Sequence, residues 1–247
     1  MKTIGLIGGM SWESTSVYYR LINEAMRARL GNLHSANILM HSLDFESVVV
    51  LQKANEWPEA GALLGRSAAT LAAAGADCVL ICTNTMHLVA DIVAGHCRVP
   101  VIHIIDETAR EIARAHCKRP LLLATRYTME HGFYAERMKL AQGIEVQVPN
   151  AADRASVHAI IFDELCRGVV LDTSRALLME IIQRGMDAGA DSIILGCTEI
   201  CLILNPDQMP FKVFDSTAIH ARAAVDFALA PPHAATVSKS GPVSAAA

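Results

Sequence analysis

Two stretches of the chain put thiol and hydroxyl side chains directly after a short apolar run: AGADCVLICTNTMH at residues 74–87 and AGADSIILGCTEIC at 188–201. Such groups can move protons. A free cysteine titrates at about 8.5, and a helix N-terminus or a cationic neighbour lowers that value. A threonine hydroxyl is far more basic once ionised and needs an adjacent base before it accepts a proton. The cysteine stands one place earlier in the first copy than in the second. Alignment on Gly-Ala-Asp is gapless and pairs Cys82 with Gly196 and Thr83 with Cys197 (197 − 83 = 114). Matching the two Cys-Thr dipeptides instead needs a one-residue insertion, and a slip of one in a strand reverses every side chain. Thr83 and Cys197 are therefore read as equivalent, with Cys82 a buried neighbour.

The elements that must position them alternate along the chain. Strands are expected at 3–8, 37–43, 78–82, 101–105, 120–125, 144–149, 192–196 and 212–215, with helices at 14–29, 58–74, 106–116, 155–167 and 174–188. Apolar strands separated by helices of this length indicate an α/β fold of parallel sheets built from right-handed crossovers. Besides the first repeat, IIDETA (104–109) matches VFDSTA (213–218) at a shift of 109 (213 − 104 = 109). A repeat near half the chain length predicts two similar domains. Parallel sheets bind ligands beyond the carboxyl ends of their strands, so a pseudo-twofold pair can aim both at one interdomain cleft.

Bulk properties narrow the function. Hydrophobic residues make up 52% of the 247, enough for a substantial core, and mean hydropathy is +0.32. A net charge of −4 argues against a nucleic-acid or membrane-surface partner. No uninterrupted apolar span reaches the ~18 residues of a membrane helix. MKTIGLIGGM is cut short by glycines and reads as a first buried strand rather than a signal peptide, which implies a cytoplasmic protein. The seven cysteines lack a secreted-framework spacing, and the pairs Cys78/Cys82 and Cys197/Cys201 do not form matched zinc knuckles, so no metal is expected. Residues 231–247 are small, polar and proline-rich and are expected to form a disordered tail.

At GLIGGMSWEST (5–15), CTNTMH (82–87), LGCTEI (195–200) and the paired DETA and DSTA, the sequence resembles the cofactor-independent aspartate/glutamate racemase family, from residue 2 to about 230. The resemblance implies an isomerase without a cofactor whose substrate is a small amino acid. Family members hold two cysteines on opposite sides of the substrate α-carbon. The second falls on Cys197. The first, usually within Cys-Asn-Thr, falls on Thr83, a departure that agrees with the repeat alignment. The family gives deprotonation of the L-enantiomer to the cysteine of Gly-Cys-Thr, so an L-preferring enzyme is implied, with Cys197 as base and Thr83 opposite.

The strand-to-helix turns at 83–85 and 197–199 offer backbone N–H groups to a developing anion. Asn84, Thr85 and Thr198 are candidate α-carboxylate donors, beside the helix-capping role such residues also fill. The resemblance adds Met10, in the loop after the first strand, Gln52, Glu199, and Thr125 and Thr128 of a Thr-x-x-Thr pattern. A distal carboxylate calls for a cation. Cys166 stands where some family members carry lysine, which leaves Arg167, Lys53 and Arg126 as candidates. His87 matches a family histidine near the cleft, and His103 reads as a core residue.

The resemblance further implies a homodimer, and a chain that returns at its end to the first domain: 1–98 plus 212–230 as one unit and 99–211 as the other. Two further readings stay open: a one-cysteine decarboxylase or cis–trans isomerase of the same superfamily, and an amino-acid-binding protein without turnover.

Overall fold

The structure, a computed structural model, describes residues 1–231. The expected tail lies outside the described residues but for its first position. The first half runs β1 (Ile4–Gly8), α1 (Trp12–Leu30), β2 (Ile38–Ser42), α2 (Phe45–Lys53), α3 (Trp57–Ala73), β3 (Cys78–Ile81), α4 (Ala90–Ala94) and α5 (Ile104–Arg114). The second runs β4 (Pro120–Leu123), α6 (Arg126–Glu130), α7 (Phe133–Gln142), α8 (Ala151–Ala159), α9 (Asp172–Asp187), β5 (Ser192–Leu195), α10 (Ile200–Ile203), β6 (Val213–Asp215) and α11 (Ser216–Leu229). Both sheets are parallel, in the orders β2-β1-β3 and β4-β5-β6. Strands β1, β3, β4 and β5 are buried along their whole length, as continuous apolar runs in covered parallel sheets should be.

Two expected strands shrink to single bridges, Val101 on Val79 and Gln147 on Leu121. At the first, the His103 side chain accepts the Ile105 N–H at 3.3 Å and starts α5, so Ile104 and Ile105 are buried from a helix instead. A five-residue apolar run does not by itself distinguish the two outcomes.

The halves exchange their last helices. Helix α5 leaves the first sheet and buries Ile104, Ile105, Ala109 and Ile112 in the core built on β4 and β5. Helix α11 leaves β6 and buries Ala221, Ala224, Val225 and Ala228 beside Tyr18, Ile22 and Met26 of α1, on the first sheet. A fully buried isoleucine contributes about 1.5–3 kcal/mol, so the three on α5 alone hold the halves together firmly. Because Val101 bridges the first sheet and β6 pairs in the second, the chain crosses after His103 and after Asp215.

Three histidines gather at the crossing. The Ile104 N–H can only donate, so it fixes His87 Nε2 as acceptor (3.2 Å) and leaves His87 Nδ1–H to donate to the Thr83 carbonyl (2.8 Å). His220 donates from Nε2 to the Ile102 carbonyl (2.7 Å) and accepts the Tyr18 hydroxyl at Nδ1 (2.8 Å). The His103 ring stands 4.6 Å from that of His87. Burial holds all three well below the ordinary histidine value, His103 at about 4 and His220 at about 3. They are neutral in the fold, whereas the unfolded chain protonates them near pH ~6.5. Between that value and about 4 the unfolded state binds more protons, so stability is full above the window and falls as pH drops through it.

Two outcomes are expected. The urea midpoint should hold from pH 8 to 7 and then fall toward pH 4.5, by on the order of 1.4 kcal/mol per histidine per pH unit. Gly9 has φ +89°, and a Cβ there would lie 2.0 Å from the Leu43 carbonyl oxygen. Gly9→Ala should therefore cost at least about 2 kcal/mol, read as a lower Tm in a thermal melt.

Candidate functional site

The two repeated turns leave their sheets identically. The Cys82 N–H donates to the Ile7 carbonyl at 3.0 Å, and the Gly196 N–H to the Leu123 carbonyl at 2.8 Å. Thr83 and Cys197 each follow directly, two residues beyond β3 and β5. Cys82 is fully buried among Ile4, Leu6 and Tyr18, and burial pushes its thiol up. A Cβ at Gly196 would sit 2.7 Å from Leu122 Cδ1 and 3.0 Å from Ala124 Cβ, so the second turn has no room for a matching side chain. Thr83 is half-buried and Cys197 is buried.

Each turn is met by a helix cap from the opposite half. Ser11 caps α1 by accepting the Ser14 N–H (3.3 Å), and Thr125 caps α6 by accepting the Thr128 N–H (3.4 Å). The pairs are related by the same shift as the turns (125 − 11 = 114). On one side of the seam Thr85 Oγ1 lies 2.9 Å from Thr125 Oγ1 and 3.1 Å from Thr128 Oγ1, which are themselves 3.2 Å apart. On the other side stands Glu199, the equivalent of Thr85 (199 − 85 = 114). Its Oε1 accepts the hydroxyls of Ser11 (2.7 Å) and Ser14 (2.5 Å), while Oε2 accepts those of Thr198 (2.7 Å) and the Cys197 thiol (2.9 Å). The Ser14 and Thr198 hydroxyls also touch. One side is thus a ring of three neutral hydroxyls, and the other the same arrangement closed around a carboxylate.

Charge follows from that difference. Burial acts to raise the Glu199 carboxyl, but the donors from Cys197, Ser14, Thr198 and Ser11 together hold it below the ordinary range. Cys197 is pushed well up, first by burial and then by the Glu199 charge. It rests as a thiol pointed at a carboxylate. Cys166, between a π-turn at Ile160–Glu164 and Gly168, is pushed up to about 12 by burial and then by the charges of Glu199 and Glu13.

Of the other sequence candidates, Asn84 donates to Ser216 Oγ (3.1 Å), which donates to the Leu195 carbonyl (2.8 Å). Asn84 Oδ1 is buried without a partner. Gln52 is buried with Nε2 3.1 Å from Met86 Sδ, and Met10 is buried in the first half's core. Of the candidate cations, the Arg167 side chain is 70% exposed and 3.9 Å from Asp163, and Lys53 and Arg126 are exposed. Among the described residues no three His, Cys, Asp or Glu side chains are grouped to share a metal ion, and no helix is long and apolar enough to cross a membrane. Sequence reasoning passed over Ser11, Ser14 and Ser216. The Ser-x-x-Ser of SWES, at the same shift from Thr-x-x-Thr, was the available signal for the first two.

Known proteins resemble the chain over nearly all of its described length. The Asp/Glu/hydantoin racemase family matches residues 7–224. A candidate Asp/Glu racemase from Yersinia pestis is 48% identical with a TM-score of 0.87, over 93% of this chain and 100% of that one. An aspartate racemase homologue from Pyrococcus horikoshii is 34% identical with a TM-score of 0.81, over 92% of this chain and 99% of that one. The broad-specificity amino-acid racemase RacX of Bacillus subtilis is 27% identical over 156 residues, 63% of this chain and 66% of the relative. On the extent of the family match and the likeness to these structures, the chain belongs to the Asp/Glu/hydantoin racemase family.

Proposed function

We propose that the protein is a cofactor-independent racemase of aspartate and glutamate that prefers the L-enantiomer, with Cys197 as base and Thr83 as proton donor on the opposite face. The observation that carries this reading is the equivalence of the two residues at matched strand ends, on turns that each bond to the other half. The ring of Thr85, Thr125 and Thr128 would turn its hydroxyls toward the substrate α-carboxylate, with Asn84 and Thr198 beside it. Such donors suit a carboxylate that must take up charge density from Cα as the proton leaves. Cys197 would take the α-proton of the L-substrate, and the Thr83 hydroxyl would protonate the other face and recover a proton from water. In reverse, Thr83 must act as base, and the residue two positions on is Thr85, not a carboxylate. Free enantiomers have equal energy, so kcat/KM must be equal in both directions, and the preference appears in kcat and KM separately.

A second reading of the substrate, an amino acid with an uncharged side chain, is favoured by the solvent exposure of the three candidate cations Arg167, Lys53 and Arg126. One panel decides between them. Each L- and D-amino acid is incubated in D₂O and followed by proton NMR at Cα. Loss of the Cα signal with aspartate and glutamate is expected; exchange confined to neutral amino acids selects the second reading, and CO₂ release without inversion selects a decarboxylase.

Two variants test the roles. Cys197→Ser should slow exchange of L-substrate by at least about 100-fold. Thr83→Ala should uncouple the reaction, with deuterium still entering the L-substrate while chiral chromatography finds little D-product. Equal loss of exchange and inversion would remove Thr83 from the opposite face. In Thr125→Ala, Thr128→Ala the substrate KM should rise about tenfold, the equivalent of one lost hydrogen bond to a charged group.

A further inference from the structure

The two reactive turns hold their carbonyls in different ways. At the second, the Cys197 carbonyl accepts the Ile200 N–H at 3.2 Å, a bond within the backbone. At the first, the Thr83 carbonyl accepts a side chain instead, the His87 ring at 2.8 Å. The residue matched to His87 is Cys201 (201 − 87 = 114), so the second turn carries no ring at that place. We infer that His87 is a positioning residue for Thr83, and that its Nδ1–H bond to the Thr83 carbonyl holds that hydroxyl on the substrate face opposite Cys197. The inference rests on the racemase reading above and goes beyond it by assigning what places the hydroxyl partner.

Both peptide planes that flank the Thr83 Cα are held. Its N–H donates to the Ile81 carbonyl at 2.8 Å, and its own carbonyl accepts from His87, so the direction of the side chain follows. The His87 backbone N–H does not make the second bond, because it donates to the Asn84 carbonyl at 3.0 Å. The ring makes it, and can do so in one way. His87 is 4% exposed, with the rings of His103 and His220 at 4.6 and 5.6 Å and the Arg137 charge beyond them. Burial first, and then these neighbours, keep the imidazole neutral with a single N–H. The Ile104 N–H occupies Nε2 (3.2 Å), which leaves that proton on Nδ1. Proton transfer to Cα depends on alignment, and a misplacement of about 1 Å costs on the order of 100-fold. A ring fixed from the start of α5 therefore sets the placement of a hydroxyl it does not itself touch.

Two amide substitutions divide the two bonds of the ring. Overlaid on an imidazole, the amide nitrogen of asparagine falls at Nδ1 and the amide oxygen of glutamine at Nε2. His87→Asn keeps a donor for the Thr83 carbonyl and loses the acceptor for Ile104, whereas His87→Gln does the reverse. Each variant is incubated with L-aspartate or L-glutamate in D₂O. The D-product found by chiral chromatography is divided by the deuterium that enters recovered L-substrate. That ratio reads protonation from the Thr83 face, and a partial loss of folded protein lowers both quantities alike without moving it. His87→Gln should lower the ratio at least about tenfold, and His87→Asn should stay within about twofold of the wild type, whatever its Tm. An unchanged ratio in His87→Gln, or an equal fall in both variants, overturns the inference. Nitrogen NMR of histidine-labelled wild-type protein adds a measurement that needs no variant to fold. At neutral pH His87 should show a protonated Nδ1 and a bare Nε2, and a proton on Nε2 overturns the inference. A wild-type protein that exchanges no amino acid would refute the racemase reading itself, while the nitrogen spectrum would still report on the bond from His87 to Thr83.

Discussion

A carboxylate taken out of water must be given hydrogen-bond donors or it will not stay ionised, and Glu199 imposes that requirement on both halves of the molecule. Burying the ion costs several kcal/mol, and donors to a charged group return about 1.5–3 kcal/mol each, so a set of four is of the size needed. Two come from its own turn, Cys197 and Thr198, and two from Ser11 and Ser14 at the start of α1. The second pair reaches it only because the chain turns tightly at Gly8 and Gly9, where Gly9 N–H bonds Thr15 Oγ1 and the backbone lies against Leu43. The constraint thus runs from a glycine conformation, through a helix cap, to the state of a cysteine in the other half.

The same reasoning explains the exchanged helices. A seam held only by hydroxyl pairs would open readily, since each neutral hydrogen bond nets about 1 kcal/mol. Aliphatic residues of α5 and α11 buried in the opposite half supply a stronger, non-directional hold. The histidines sit where both crossings pass, and His87 joins the crossing to the reactive turn: one nitrogen receives the first N–H of α5, and the other holds the Thr83 carbonyl. Placement of the threonine and the joining of the halves are one arrangement.

Much of this was legible in the sequence because it rests on period and repetition. The gapless Gly-Ala-Asp alignment assigned Thr83 to Cys197, and the N–H bonds of Cys82 and Gly196 carry the same equivalence into three dimensions. Buried parallel strands announce themselves as apolar runs, which is why β1, β3, β4 and β5 were readable. The run at 101–105 was not, because one polar side chain, His103, decides between strand and helix by capping, and the run at 144–149 keeps only the Gln147 bridge to Leu121. Ser11 and Ser14 escaped for a different reason. A serine before a helix is expected to cap it, and Ser11 does; that the same oxygens also serve a glutamate 188 and 185 positions away depends on tertiary contact.

The two repeated turns differ at several matched positions, and the differences that bear on proton transfer are Thr83 against Cys197 and Thr85 against Glu199. They change together in chemical sense: a thiol is accompanied by a carboxylate, and a hydroxyl by a hydroxyl. A carboxylate beside Thr83 would be of little use, since the gap between carboxyl and alcohol acidities is too wide for the proton to pass. A hydroxyl in place of Glu199 would remove the charge that, after burial, holds the Cys197 thiol protonated. The asymmetry cannot alter the equilibrium between free enantiomers, which have the same energy whatever the catalyst. On the racemase reading, what it can alter is which bound species accumulates, because the cysteine side starts from a thiol hydrogen-bonded to a carboxylate and the threonine side from a hydroxyl among hydroxyls. A duplicated fold with unlike residues at matched strand ends can therefore remain a reversible catalyst while handling its two substrates at different maximal rates.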